Sequence, residues 1–418
     1  MPGELLRVVT AGSVDDGKST LVGRLLHDAK AVLTDQLSAV EAASERRGYD
    51  GADLALLVDG LRAEREQGIT IDVAYRYFAT GRRTFILADT PGHVQYTRNT
   101  VTGASTADVA VILVDARSGV VEQTKRHAAV ASLLRVEHVV LAVNKMDLVG
   151  YAEDVFDAIV TDFAAAAQSL RLASFTPIPV AALVGDNIVE RSTRMAWYTG
   201  PSLLEFLEEV QPNGQDALPA RFPVQMVVRP RSAEHPDYRG YAGRVEAGSL
   251  KEGDAVVVLP SGRTSTIAGI DTADGALAVA ESGRSVVVRL AEDIDIARGD
   301  LIAVDAEPLP HAVNRFAATL CWLSDRPLRP GDRFSLRHTT REVRAVVDDV
   351  CSRLDVATVT SAKTGELELN DIGTVYLRTS EPVIVDPYAV NRSTGSFLLV
   401  DESSGATMAA GMVSEIKS

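Results

Sequence analysis

Residues 12–20 read Gly-Ser-Val-Asp-Asp-Gly-Lys-Ser-Thr, two glycines bracketing four residues and then Lys-Ser. That spacing suits phosphate. Backbone N–H groups of Gly12, Ser13, Val14, Asp15, Asp16 and Gly17 can turn inward on an anion, and the following helix N-terminus adds its dipole. Lys18 would neutralise β- and γ-phosphate oxygens, the Ser19 hydroxyl would ligate Mg2+, and Thr20 closes the loop. Alone, the pattern is also that of any Gly-rich turn before a helix. Two further motifs decide. Asp89-Thr90-Pro91-Gly92 ends an apolar run, where an aspartate holds Mg2+ through water and the Gly92 N–H can reach a γ-phosphate. Asn144-Lys145-Met146-Asp147 follows another apolar run. The Asn144 amide can bond the guanine O6/N7 edge. The Asp147 carboxylate can accept from N1–H and the exocyclic amine, which adenine cannot offer. The Lys145 stem can lie over the ring. Three such motifs in this order identify a GTP-binding domain.

Asp15 and Asp16 look opposed to a phosphate ligand. Side chains of such a loop point outward, so neither carboxylate need face the phosphates. Asp15 is expected to pin the loop or organise a cation, and Asp16 to face solvent or a switch. Two more residues complete the set. Thr70, in "EREQGITID", is placed to ligate Mg2+ when a γ-phosphate is present, and His93, just after Gly92, to position the attacking water. Release of the γ-phosphate would free both segments, an order–disorder switch that a partner can read.

The elements that must position these residues alternate between strand-like and helix-like stretches over residues 1–212. Short apolar runs ("LLRVVTAG", "RTFILADT", "DVAVILVDA", "EHVVLAVNK", "FTPIPVAAL") alternate with helical patterns ("KSTLVGRLLHDA", "VEQTKRHAAVASLLR", "YAEDVFDAIVTDFAAAAQSL"). This implies βαβ units and a parallel sheet covered on both faces. A Pro/Gly/Asn/Asp-rich linker follows around residues 211–223. Short β segments punctuated by turns then predict one antiparallel β-barrel over 220–306 and a second over 310–418.

Bulk composition narrows the class. A net charge of −15 argues against broad nucleic-acid binding, which wants basic faces. No apolar run approaches the roughly 18 residues of a membrane span, and no N-terminal signal core is present, so a cytoplasmic protein is expected. The two cysteines, Cys321 and Cys351, read as reduced buried residues.

The set "GSVDDGKST", "GITI", "DTPGH" and "NKMD" resembles the translation-factor class of GTPases, and the α/β-barrel-barrel plan resembles elongation factor Tu. Over longer runs, "SVDDGKSTLVGRLLHD", "LVDGLRAEREQGITIDVAYRYF", "DTPGHVQYTRN", "MAWYTGPSLLEFLE" and "NRSTGSFLLVD", the chain is similar to the GTPase subunit of bacterial sulfate adenylyltransferase. Paired aspartates at 15 and 16 favour that branch over carriers of aminoacyl-tRNA, which stay the alternative. The resemblance implies GTP hydrolysis with Mg2+. That hydrolysis drives a smaller catalytic partner subunit to join ATP and sulfate into adenosine 5′-phosphosulfate and pyrophosphate. The barrels are expected to carry the partner interface. Some relatives carry a fused adenylylsulfate kinase; no second phosphate loop occurs here, and no kinase activity is expected. The late base-contacting loop departs from the family's Ser-Ala-Leu/Lys: it is Ala181-Ala182-Leu183. The Ala182 N–H is expected to reach the guanine O6 all the same.

Overall fold

The structure is a computed structural model. It describes residues 5–32, 54–57, 73–92, 97–170, 172, 174–211, 218–230, 237–355 and 360–416, with scattered positions between 35 and 44. The chain divides into two compact units, Met1–Pro212 and Asn213–Asp355 with Thr360–Ser418.

The first unit is built on a six-stranded sheet in the order β2-β3-β1-β4-β5-β6. Its strands are β1 (Leu5–Ala11), β2 (Ala74–Ala79), β3 (Thr84–Asp89), β4 (Val109–Asp115), β5 (His138–Asn144) and β6 (Thr176–Pro179). Its helices are α1 (Lys18–Asp28), α2 (Thr97–Ala104), α3 (Glu122–Leu133), α4 (Glu153–Ser169) and α5 (Leu203–Glu209). Every residue of β4 is buried, which is why Val109–Asp115 reads as an unbroken apolar run and not as an alternation. Leu21, Val22, Leu25 and Leu26 of α1 sink into the same core as Leu6, Leu87, Val111 and Val140. Each such leucine contributes roughly 1.5–3 kcal/mol by leaving water. A capping box starts α5: the Ser202 hydroxyl accepts from the Glu205 N–H at 3.2 Å, while Glu205 accepts from the Ser202 N–H at 2.8 Å.

The sheet is not purely parallel, as the sequence pattern implied. The edge strand β2, with only Phe78 buried, pairs antiparallel with β3 from Ala74↔Asp89 to Ala79↔Thr84. A tight turn at residues 80–83 joins the two, so no crossover helix is needed.

The second unit holds two closed antiparallel barrels. In the first, the ring runs Ala255–Leu259, Leu301–Val304, Arg221–Val228, Gly240–Arg244, Ser285–Leu290 and Arg263–Thr272, which pairs back onto Ala255–Leu259. In the second it runs Arg333–His338, Ser396–Val400, Thr407–Glu415, His311–Trp322, Ile372–Val385 and Arg341–Asp355, which returns to Arg333–His338. Closure removes the sheet edges that would otherwise invite intermolecular pairing. Neither cysteine forms a disulfide; Cys321 is buried as expected, but Cys351 is only half-buried. Among the described residues no helix is long and apolar enough to cross a membrane.

The two barrels meet through a small apolar cluster of Val257, Leu301, Ala303 and Ile384 and a buried ion pair. Arg221 Nε lies 3.2 Å from Asp386 Oδ2, and Arg221 Nη2 lies 3.3 Å from Asp386 Oδ1. The Thr394 hydroxyl donates to Asp386 at 2.6 Å, and the Pro308 carbonyl takes a further guanidinium N–H. Truncating one member of such a pair strands the other charge, so Arg221→Ala should cost about 3–5 kcal/mol. Replacing both partners by apolar residues should recover most of the loss. Urea denaturation of the single and double variants measures both.

Candidate functional site

The parallel register brings four carboxyl ends, those of β3, β1, β4 and β5, side by side. Thr10 pairs with Asp89 across β1 and β3, and Asp115 with Asn144 across β4 and β5. Ligands in open α/β sheets bind beyond these ends. The loop of residues 12–17 leaves β1 here and enters α1.

Lys18 is buried, and its ammonium donates to the Gly12 carbonyl at 3.0 Å and the Ser13 carbonyl at 2.8 Å. Burial pulls its pKa down, against the pull of Asp89, Asp16 and Asp15. Gly92 closes on this ammonium so tightly that a Cβ there would lie 2.6 Å from Lys18 Nζ and 2.7 Å from the Gly12 carbonyl. Thr90 is buried and its hydroxyl donates to the Thr10 carbonyl at 2.7 Å; Pro91 is buried beside it. Ser13 Oγ is buried in the loop without a hydrogen-bond partner among the described residues, an orphan suited to a phosphate oxygen. Val14 is 42% exposed, and Thr20 is half-buried on α1.

The two aspartates divide their roles differently from expectation. Asp16 does not face solvent; it is buried, and its Oδ2 accepts from the Ser13 N–H at 2.6 Å. It therefore pins the loop, the task expected of Asp15. Burial raises its pKa, and the Ser13 N–H and Lys18 only partly oppose this. Asp15 carries the exposed side chain, at a left-handed φ of 68°.

Ser19 Oγ donates to Asp89 Oδ2 at 3.0 Å, and Asp89 Oδ1 accepts from the Thr10 hydroxyl at 2.6 Å. A hydroxyl and a fully buried carboxylate side by side are hard oxygen donors, the ligand chemistry that fits Mg2+ completed by waters and phosphate. Thr70 and His93 lie outside the described residues.

On the base side, Asn144 is buried and used at both ends of its amide. Nδ2 donates to the Asp16 carbonyl at 2.8 Å, and Oδ1 accepts from the Ala182 N–H at 3.0 Å. The Ala182 N–H, expected to reach guanine O6, is thus engaged within the protein. Gly17, at φ 90°, leaves room for this contact, since a Cβ there would lie 2.5 Å from Asn144 Nδ2. Met146 is fully buried and supports the loop from beneath. Asp147 is half-buried, and its carboxylate takes no hydrogen bond from any described residue. Ala181 is buried, whereas Leu183 is 68% exposed.

Sequence reasoning missed Asp115, whose only signal was its place at a strand end like Asp89. Lys145 Nζ sits 2.9 Å from Asp115 Oδ2 and also donates to the Asp15 carbonyl, so its stem spans the two loops. Arg117 Nη2 approaches the same carboxylate at 2.6 Å. Burial pushes Asp115 upward, but its bonds to Arg117 and Lys145 outweigh that and hold it well below the usual carboxylate range.

His127 of α3 was also missed. Burial, then the Lys18 charge, drive its pKa down to about 3, against the pull of the Gly12 carbonyl, and Nε2 has no hydrogen-bond partner among the described residues. The unfolded chain therefore binds a proton at His127 that the folded loop refuses. The stability this confers is present above about pH 6.5 and is lost as pH falls toward about 3. His127→Gln should flatten that part of the stability–pH curve relative to the parent chain, measured by urea midpoints across the acid range.

Comparison with known proteins agrees with this geometry. Residues 3–213 match the elongation factor Tu GTP binding domain family, and residues 315–414 the GTP-eEF1A C-terminal domain-like family. The chain is 55% identical over 98% of its length to the bifunctional enzyme CysN/CysC of Mycobacterium tuberculosis (strain CDC 1551 / Oshkosh), covering 67% of that protein. It is 51% identical over 99% of its length to sulfate adenylyltransferase subunit 1 of Methylorubrum populi, and 47% identical over 98% to that of Francisella tularensis subsp. novicida. It covers 87% of each of these two. With the loop geometry of a nucleotide site at the strand ends and this identity along its whole length, the chain belongs to the sulfate adenylyltransferase subunit 1 family.

Proposed function

We propose that this chain hydrolyses GTP as the GTPase subunit of a sulfate adenylyltransferase. The hydrolysis drives formation of adenosine 5′-phosphosulfate from ATP and sulfate on a smaller catalytic partner subunit. The observation that carries the GTP reading is the convergence of Lys18, the Ser19–Asp89 pair and Asn144 at neighbouring strand ends. The family relation supplies the sulfate chemistry. The division into a GTP-binding domain over 1–212 and barrels over 220–306 and 310–418 is part of the same proposal.

In this reading Lys18 moves its hydrogen bonds from the Gly12 and Ser13 carbonyls to the β- and γ-phosphates, joined by backbone N–H groups of residues 12–17 and by Gly92. Ser19 and Asp89, with Thr70, hold Mg2+, which supplies charge neutralisation on the β/γ oxygens. Asp147 reads N1–H and the exocyclic amine of guanine, and the Lys145 stem lies against the ring. His93 orients the attacking water, an assignment resting on its place after Gly92. We place the protein in the cytoplasm, with no nucleic-acid partner.

Co-purification with the catalytic subunit and a pyrophosphate-release assay test this reading. Release should require ATP, sulfate and GTP together. Tight GTP-dependent binding of aminoacyl-tRNA, with no effect of GTP on pyrophosphate release, would favour the translation-type alternative instead. Within the site, Asp147→Asn should move base preference from guanine toward xanthine, with GTP affinity falling about tenfold or more, as loss of a charge-assisted bond requires. Competition between GTP and xanthosine triphosphate measures it, and unchanged guanine selectivity removes Asp147 from base reading.

A further inference from the structure

The base loop lacks a side-chain tether of its own. Ala181 carries no polar side-chain atom, and within the turn itself the closing bonds are backbone to backbone. The Ala181 carbonyl accepts from the Gly185 N–H at 2.8 Å, and the Ala181 N–H donates to the Asp186 carbonyl at 3.2 Å. An anchor comes from elsewhere in the chain. Arg24, two turns into α1, sends Nε to the Ala182 carbonyl at 3.2 Å and Nη2 to the Leu183 carbonyl. A planar guanidinium fork suits two successive carbonyls in a way a lysine ammonium does not. Asp28, one turn further along α1, holds the fork in place at 3.5 Å. The loop lies close against this helix: at Gly185, with φ of 91°, a Cβ would sit 3.1 Å from Asp28 Oδ2 and 3.6 Å from Arg24 Cδ.

The peptide joining Ala182 to Leu183 is planar, so gripping its carbonyl also sets the direction of its N–H. That N–H, on Leu183, has no acceptor among the described residues, whereas the Ala182 N–H is held by Asn144. We propose that Arg24 is a positioning residue for base recognition: by gripping the Ala182 and Leu183 carbonyls it presents the Leu183 N–H to guanine O6 and makes the phosphate helix and base loop one piece. This rests on the GTP reading above.

The test compares guanosine diphosphate with its 6-thio analogue, whose sulfur is a weaker acceptor at position 6, in the full chain and in Arg24→Ala and Arg24→Lys. If Arg24 aims the donor, Arg24→Ala loses about tenfold in affinity for guanosine diphosphate, about one hydrogen bond's worth, and markedly less for the thio analogue. The preference for oxygen then narrows, and Arg24→Lys falls between the two. Should Arg24→Ala fail to fold, the same narrowing in Arg24→Lys carries the test. Equal losses for both nucleotides, or none, overturn the proposal, because a general disturbance of α1 cannot distinguish oxygen from sulfur at that position. A parent chain that does not prefer guanosine over adenosine diphosphate overturns the GTP reading and this proposal with it. A selective parent with an unchanged ratio in both variants overturns only the role of Arg24.

Discussion

The site depends on one amide. Asn144, buried at the end of β5, donates to the Asp16 carbonyl of the phosphate loop and accepts from the Ala182 N–H of the base loop. A buried amide with unmet hydrogen bonds costs about 1–3 kcal/mol per group, so both loops are held where those bonds can be made. Other contacts reinforce the same junction. Lys145 joins the Asp15 carbonyl to Asp115, and Arg24 joins α1 to the base loop. The phosphate loop and the base loop are thereby held at a fixed spacing.

The charge pattern of the phosphate loop follows from where each carboxylate goes. Asp16 is turned inward to satisfy the Ser13 N–H, and Asp15 outward to solvent. Neither needs to approach a phosphate. Lys18 is desolvated between carbonyl oxygens, and the buried Asp89 supports its charge. The cation is thus oriented by dipoles that an anionic ligand can replace without rebuilding the loop. The barrels rest on a different balance. There, closure of each ring buries the apolar faces, while the Arg221–Asp386 pair fixes where the two barrels meet.

Much of this was legible in the chain. The helix and strand runs appear where their apolar patterns put them, and the three nucleotide motifs each end a strand. Those signals are local: a Gly-rich turn before a helix or an apolar run before a carboxylate needs only neighbours in sequence. The antiparallel edge strand β2 was not legible, because "AYRYFA" buries only Phe78 and has no apolar face to read. His127 and Arg24 were also invisible, since each acts on a residue far away in sequence, as Arg24 does 158 positions from Ala182, and Asp115 had only its place at a strand end as a signal.

The sequence by itself determined the chemistry: phosphate, Mg2+ and guanine are implied by residue types at fixed short spacings, because hydrogen-bonding groups on one turn or loop have a set geometry. Only the tertiary structure decided how those groups are held. Whether Ala182 or Leu183 has its N–H taken within the protein depends on Asn144, a side chain 38 positions away that strand register brings to the base loop. Which of Asp15 and Asp16 turns inward depends on how the loop between β1 and α1 folds back to offer the Ser13 N–H.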